Sequence, residues 1–371
     1  MRVVIDVTPL AIPPTGIGTY LRETVTACGR NPRGHEIVAL SMGGRTETAG
    51  LAEHLGEIPG VVRRHRRVRG AFVLRRLVNA SPVPLLERLA GRADAFLGSE
   101  WLHPRQRHGV RGGIVYDLVP LRFPEWTTPE TRSLHDRKLA DVRRCDVIVC
   151  ISRATADDVR DHLGIDEARL RVARPGVADH FRGAAPAPPA ALGGRPYVAS
   201  LCTHEPRKNL VTLVEAYARL RAGHPDLALV LIGSAGWDGG AAAEAVERLG
   251  LRDDVIITGY LPAAEVPGVL AGARAFCWPA LFEGFGIPVA EAQAAGVPVA
   301  CSDDPSVDEA AGDGALRFPP RDADALADTL ARIVEDDAVR ADLVARGHAH
   351  AATLTWDATA TALLAALEDA A

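Results

Sequence analysis

Residues 275–302, AFCWPALFEGFGIPVAEAQAAGVPVACS, hold the pattern that decides the fold. AFCW, residues 275–278, is a short unbroken apolar run stopped by Pro279, as expected of a strand buried on both faces. A glycine loop follows, Glu283-Gly284-Phe285-Gly286, then a helix from about residue 288 to 295, since Pro288 suits a first helical turn. Residues 297–300, VPVA, read as the next buried strand. Strand, glycine loop, helix and strand in that order make one repeat of a parallel sheet with helices on its faces.

The same alternation runs outward in both directions. Strands are predicted at residues 3–7, 36–40, 95–97, 113–116 and 146–150, and again at 197–201, 228–232, 255–258, 275–278 and 297–300. Helical periods lie between them, for example at 210–222 and 327–335. The alternation breaks at residues 182–196, RGAAPAPPAALGGRP, where proline and glycine dominate and no amphipathic period survives. The predicted organisation is therefore α/β, with two doubly wound Rossmann-like domains facing each other across a cleft. Residues 1–183 form the first domain, 184–196 a linker, 197–355 the second, and 356–371 a C-terminal helix that packs back on the first. Ligands of such sheets bind at the carboxyl ends of the strands.

Composition narrows the function. The 371 residues are 47% hydrophobic, enough for two buried cores, and only 5% aromatic, so those cores rest on aliphatic side chains. The net charge of -5 gives no reason to expect a nucleic-acid partner. The six cysteines lack the spacing of a zinc or redox site and mostly sit in apolar runs, which suits a reducing compartment. The N-terminus enters a strand at once, and no apolar stretch is long enough to span a membrane, so a cytoplasmic location is expected. Lysine occurs twice among 42 basic residues, at Lys138 and Lys208, so each lysine is a candidate for a role that needs a compact ammonium.

Two segments carry chemistry. THEPRKNL, residues 203–210, follows the strand at 197–201, and its Arg207 and Lys208 lie just ahead of a helix that Asn209 is placed to cap. A diphosphate there would meet two cations and a helix N-terminus, although two adjacent cations alone also fit a solvated turn. The second segment is the glycine loop itself. Gly284 and Gly286 allow backbone N–H groups to approach an anion, and Glu283 and Glu291 are spaced to face one site. Carboxylates accept paired hydrogen bonds from vicinal diols, which sugars and ribose provide. A capping glutamate and a surface glutamate would show the same spacing.

EGFGIPVAEAQAAGVPVACS resembles the donor-binding signature of the retaining glycosyltransferases of family 4, which have the two-domain GT-B fold, and EPRKNL resembles their phosphate-binding turn. TGIGTYLRE at 15–23, YDLVPLRFPEW at 116–126 and RPGV at 174–177 resemble the family's N-terminal glycine loop, acceptor-side segment and lead into the linker. The resemblance implies that Arg207 and Lys208 hold the donor diphosphate, next to Thr203. It implies that Glu291 binds the ribose and Glu283 the hydroxyls of the transferred sugar. Gly284, Phe285, Gly286 and Ile287 would supply the loop, Gly16 and Gly18 the N-terminal contact, and Tyr260 and Leu261 the surroundings of the base, with Gly233 leaving room beside it. Asp117 would make a polar contact at the reacting centre. No metal or other cofactor is implied, since cations and a helix N-terminus can neutralise the leaving diphosphate.

The expected activity is transfer of a hexose, with retention and with GDP-mannose favoured, to a glycan or lipid-linked acceptor read by loops such as 100–112. A nucleotide-sugar epimerase of the same fold and a non-catalytic nucleotide-sugar-binding partner subunit are the alternatives. The chain departs from the family at Tyr116, where histidine is usual, and at Cys202, where glycine is usual. Residues 63–76, RRHRRVRGAFVLRR, carry seven arginines around an apolar patch, which suits either a solvated basic loop and helix or a peripheral contact with the inner face of a membrane. His103, His108, His135, His162 and His180 are scattered and expected on the surface, while His204 lies at the mouth of the proposed phosphate site.

Overall fold

The computed structural model describes residues 1–12 and 15–371, and the side chains of all of these except 71 and 72. The chain divides into two compact units, Met1–Gly176 together with Thr355–Ala371, and Val177–Leu354.

The first unit is built on a seven-stranded parallel sheet. Its strands are β1 (Arg2–Asp6), β2 (Glu36–Gly43), β3 (Val61–Arg67), β4 (Ala95–Gly98), β5 (Val110–Val115), β6 (Val147–Cys150) and β7 (Leu170–Val172), in the order β3-β2-β1-β4-β5-β6-β7. The second unit carries β8 (Tyr197–Leu201), β9 (Ala228–Ile232), β10 (Val255–Gly259), β11 (Ala275–Trp278), β12 (Val299–Ser302) and β13 (Ala315–Phe318), in the order β10-β9-β8-β11-β12-β13. Each sheet starts in its middle, runs to one edge, and returns to the other side of its first strand. The reversal places a crevice at the carboxyl ends of β1 and β4 in one unit and of β8 and β11 in the other.

The apolar runs that predicted the central strands are buried on both faces: Val3, Val4 and Ile5 in β1, Leu229, Val230 and Leu231 in β9, Phe276 and Cys277 in β11. All six cysteines are free and buried, and burial pushes their thiols up, Cys28 to about 12. The C-terminal helix Trp356–Asp369 packs on the helix Gly16–Arg30 of the first unit, with Trp356 edge-on to Tyr20 at 5.9 Å.

Four expectations are corrected. Residues 61–67 form β3, a sheet-edge strand, where a loop or helix was expected. Edge strands pair on one side only and tolerate charge, so Arg63, Arg64, Arg66 and Arg67 erase the apolar signal without preventing pairing to β2. The short strands β7 and β13 were also missed. The segment 184–196 does not stand between units. Ala187 N–H donates to Gly268 O at 2.8 Å, and a Cβ on Gly268 would lie 2.8 Å from the Ala187 methyl, so the segment belongs to the second unit. Its small residues pack through isolated backbone contacts, which leave no period to read. His103 is buried rather than on the surface, with its ring so close to Gly98 that a Cβ there would lie 2.5 Å from Nδ1.

Candidate functional site

The reversal point of the second sheet gathers the chemistry. β8 pairs directly with β11, in register Ala275 with Val198 and Phe276 with Ala199. The turn after β8 and the loop after β11 therefore emerge side by side, although Lys208 and Glu283 are 75 residues apart. Pro206–Lys208 forms a short 3-10 turn after β8, and its Arg207 carbonyl accepts from Leu281 N–H of the second loop at 2.8 Å.

Glu283 occupies the centre. It is 6% exposed, with Lys208 Nζ 2.5 Å from one carboxylate oxygen and Arg207 Nη1 2.7 Å from the other. Burial alone would raise its pKa. The two cations and their hydrogen bonds outweigh burial, and the carboxyl is held below its ordinary value of 4.5. Lys208, 8% exposed, also sits 4.6 Å above the centre of the Trp278 ring, so its ammonium is fixed between a carboxylate and an aromatic face. Arg207 is steered from its other side by Glu205, whose Oε2 lies 2.9 Å from Nε. Burial pushes the Glu205 carboxyl up, against the pull of Arg207 and Lys208. The Glu283 backbone N–H donates to Ser306 Oγ at 2.8 Å, which fixes the start of the loop.

At two of these positions the backbone geometry itself demands glycine. Gly286 has φ 92 and opens the helix Ile287–Ala294, with Pro288 in its first turn. Gly233, after β9, has φ 133, and a Cβ there would lie 1.9 Å from the Cys202 carbonyl oxygen. Any side chain at 233 would thus push the ends of β8 and β9 apart. Gly284 and Phe285 are buried, Ile287 and Glu291 half-buried, and Glu291 lies on the second turn of that helix. Gly233 N–H donates to Gly259 O at 3.0 Å, so the ends of β10, β9, β8 and β11 form one row. Half-buried Thr203 follows β8 in that row, and Tyr260, exposed, and Leu261, half-buried, follow β10 at its far end.

Asn209 does not cap the helix Leu210–Gly223. Its backbone is left-handed, φ 57, and its amide instead donates to the carbonyls of Pro279 and Pro320, tying the 206–208 turn to neighbouring loops. His204 is buried, its imidazole Nε2 has no hydrogen-bond partner, and burial lowers its pKa, so it is neutral near pH 7. Sequence reasoning missed Glu205, Trp278 and Ser306. The first two stood in segments already singled out, while nothing in the spacing pointed to Ser306.

Gly16, Gly18 and Asp117 belong to the first unit. Gly16 is exposed at the start of its helix and Gly18 is buried in it. Half-buried Asp117 accepts from Val119 N–H at 3.0 Å and so closes a turn after β5. Tyr116 is buried, with its hydroxyl lacking a protein partner and its ring edge-on to Tyr20 at 5.6 Å. Among the described residues, no group of three histidine, cysteine or acidic side chains is placed to hold a metal.

A family model described as Glycosyltransferase Family 4 matches residues 14–181, and one described as Glycosyl transferases group 1 matches residues 184–350. The O-antigen chain mannosyltransferase B of Escherichia coli is 38% identical over 171 residues, 45% of this chain and 44% of that protein. A GDP-mannose-dependent alpha-(1-6)-phosphatidylinositol monomannoside mannosyltransferase of Mycolicibacterium smegmatis is 36% identical over 174 residues, 42% of this chain and 43% of that one. The chain spans less than half the length of these curated relatives. Among solved structures, Anabaena Alr3699/HepE in complex with UDP and glucose superposes with a TM-score of 0.74 over 100% of both chains, at 16% identity, which speaks for the fold alone. Two Rossmann-like sheets, a basic turn beside an acidic glycine loop, and matches along nearly the whole chain lead to one statement: this chain belongs to family 4 of the group 1 glycosyltransferases, has the GT-B fold, and is similar to mannosyltransferases among its relatives.

Proposed function

We propose that the chain is a retaining hexosyltransferase that takes a sugar from a nucleotide-diphosphate donor, GDP-mannose, and passes it to a hydroxyl of a glycan or lipid-linked acceptor. The observation that carries this reading is the buried carboxylate of Glu283 held between Arg207 and Lys208 at the reversal point of the second sheet. The cations stabilise charge on the departing diphosphate, and the carboxylate accepts from hydroxyls of the transferred sugar. Glu291 binds the ribose, and the base lies along Gly259, Tyr260 and Leu261, with the narrow turn at Gly233 beside it. Attack on the same face as departure gives retention, with the leaving phosphate taking the acceptor's proton and Asp117 in polar contact at the reacting centre. These groups perform the chemistry without a metal. The mannosyltransferases among the relatives, one of them named for GDP-mannose, support the choice of donor.

A thermal-shift comparison of GDP, UDP, dTDP and ADP tests the donor. At 100 times its Kd a nucleotide adds about 2.7 kcal/mol of stability. GDP is expected to give the largest shift, and a larger response to another nucleotide overturns the choice. The anomeric configuration of the product, read by NMR, tests retention.

The basic edge of the first unit is proposed to rest on anionic lipid. Beside β3, the helix Ala71–Ala80 exposes Val73 at 60% and Leu77 at 61%, one turn apart on the same face. Arg66 and Arg75 are engaged with backbone carbonyls, so Arg63, Arg64 and Arg67 are the side chains to change. Their replacement by serine is expected to release the protein from phosphatidylglycerol vesicles in a sedimentation assay, and unchanged binding counts against the contact. Among the described residues no helix is long and apolar enough to cross a membrane.

A further inference from the structure

The chain's two lysines occupy matching surroundings. Lys208 pairs with Glu283 and lies over Trp278; Lys138 pairs with Glu100 and lies 4.9 Å from the centre of the Tyr116 ring. The first pair stands at the reversal point of the second sheet. The second stands at that of the first sheet, because Glu100 follows β4, the strand that pairs with β1 across the reversal, and Tyr116 follows β5. We propose that Glu100, held by Lys138, is a binding site for the hydroxyls of a neutral sugar, the acceptor of the transfer. This rests on the transferase reading above and adds the group that recognises the acceptor.

The turn that carries Glu100 is pinned on both sides. Asp6, fully buried at the end of β1, accepts from Ser99 Oγ at 2.9 Å and from Leu102 N–H at 3.2 Å. Asn79 accepts from His103 N–H at 2.8 Å and donates to Trp101 O at 3.1 Å, and the Trp101 ring lies under the Arg75 guanidinium. A carboxylate on so fixed a turn is preorganised. Lys138, whose side chain is 2% exposed, holds Glu100 Oε1, while the Glu100 side chain keeps 19% of its surface open. Burial raises the Glu100 carboxyl above its ordinary value against the pull of Lys138; in its ionised form it only accepts hydrogen bonds, so its exposed part is suited to O–H donors. Asp6 and Asp117 add negative charge nearby, which favours a neutral ring over a phosphorylated one.

A buried ion pair is a weak source of stability compared with an apolar pair of the same volume, so stability alone gives little reason to keep this one. Lys138 is a positioning residue here, and Glu100 is the group that meets the sugar.

The test titrates the full chain with the methyl α-glycosides of mannose, glucose, galactose and N-acetylglucosamine by ligand-observed NMR. At least one is expected to bind the parent protein. Glu100→Gln, nearly identical in shape, is expected to raise its Kd about tenfold or more, the scale of losing a hydrogen bond to a charged group. Lys138→Met is expected to weaken the same glycoside, and the double variant to be no worse than the weaker single one. Donor-side thermal shifts remain as in the parent, and a 6-phosphorylated glycoside binds no more tightly than its neutral form. Parent-like glycoside affinity in Glu100→Gln, tighter binding of the phosphorylated form, or no glycoside binding to the parent would overturn the proposal. Failure of all four nucleotides to shift the parent would instead overturn the transferase reading.

Discussion

Lys208→Ala is expected to lower turnover by about 10²-fold or more, the scale of removing one preorganised electrostatic contact. The ammonium is buried, 2.5 Å from Glu283 and against the Trp278 face, so water cannot substitute for it without opening the site. On the proposed reading its charge matters most as negative charge builds on the leaving diphosphate, so kcat and kcat/KM should fall together. Loss of packing is a competing cause. Lys208→Met keeps an apolar stem against Trp278 and removes only the charge, so it must be as slow as the alanine variant. Near-normal turnover in either variant, measured as transfer or as donor hydrolysis, removes Lys208 from the mechanism.

The same substitution has a consequence in acid. The folded pKa of Glu283 lies below its ordinary value of 4.5, so its ion pairs contribute stability above that value, lost as pH falls through the lower folded one. With one cation gone, burial opposes only Arg207, and the folded pKa moves up. The pair's contribution then disappears at a higher pH than in the parent, which acid titration of the melting temperature can read.

The central strands of both sheets were legible because burial on both faces leaves an uninterrupted apolar run with sharp ends. β3 was not, because an edge strand made of arginine owes its place to pairing with β2 rather than to a core. Arg207 and Lys208 in one segment, and Glu283, Gly284 and Gly286 in another, were legible separately at strand ends. Their meeting depends on β8 lying next to β11, a fact of strand order rather than of spacing. Asn209 was misread as a cap because composition marks a helix start but does not reveal the left-handed backbone that turns its amide toward Pro279 and Pro320. Lys138 stood out only as a rare residue. That Glu100 is its partner, 38 residues away, follows from the fold.

Glu283→Gln separates the two roles that the centre of the site combines, because its effects on nucleotide and on sugar have opposite signs. Glutamine keeps the shape but removes the charge that Arg207 and Lys208 share. It also turns N–H donors toward two cations that can only donate. Breaking a buried pair from one side costs about 3–5 kcal/mol, so the variant should melt well below the parent. The cations would then lack their buried counter-charge, and a nucleoside diphosphate would supply it. The stabilising shift produced by GDP should therefore be larger in the variant than in the parent at equal concentration. Sugar transfer should fall steeply all the same, since the carboxylate proposed to accept from the sugar's hydroxyls is gone. If Glu283 only braced the loop, nucleotide affinity and turnover would decline together with stability. A GDP shift that shrinks in Glu283→Gln would show that the carboxylate supports the phosphate turn instead of competing with the diphosphate for its cations, and its assignment to the sugar would fall.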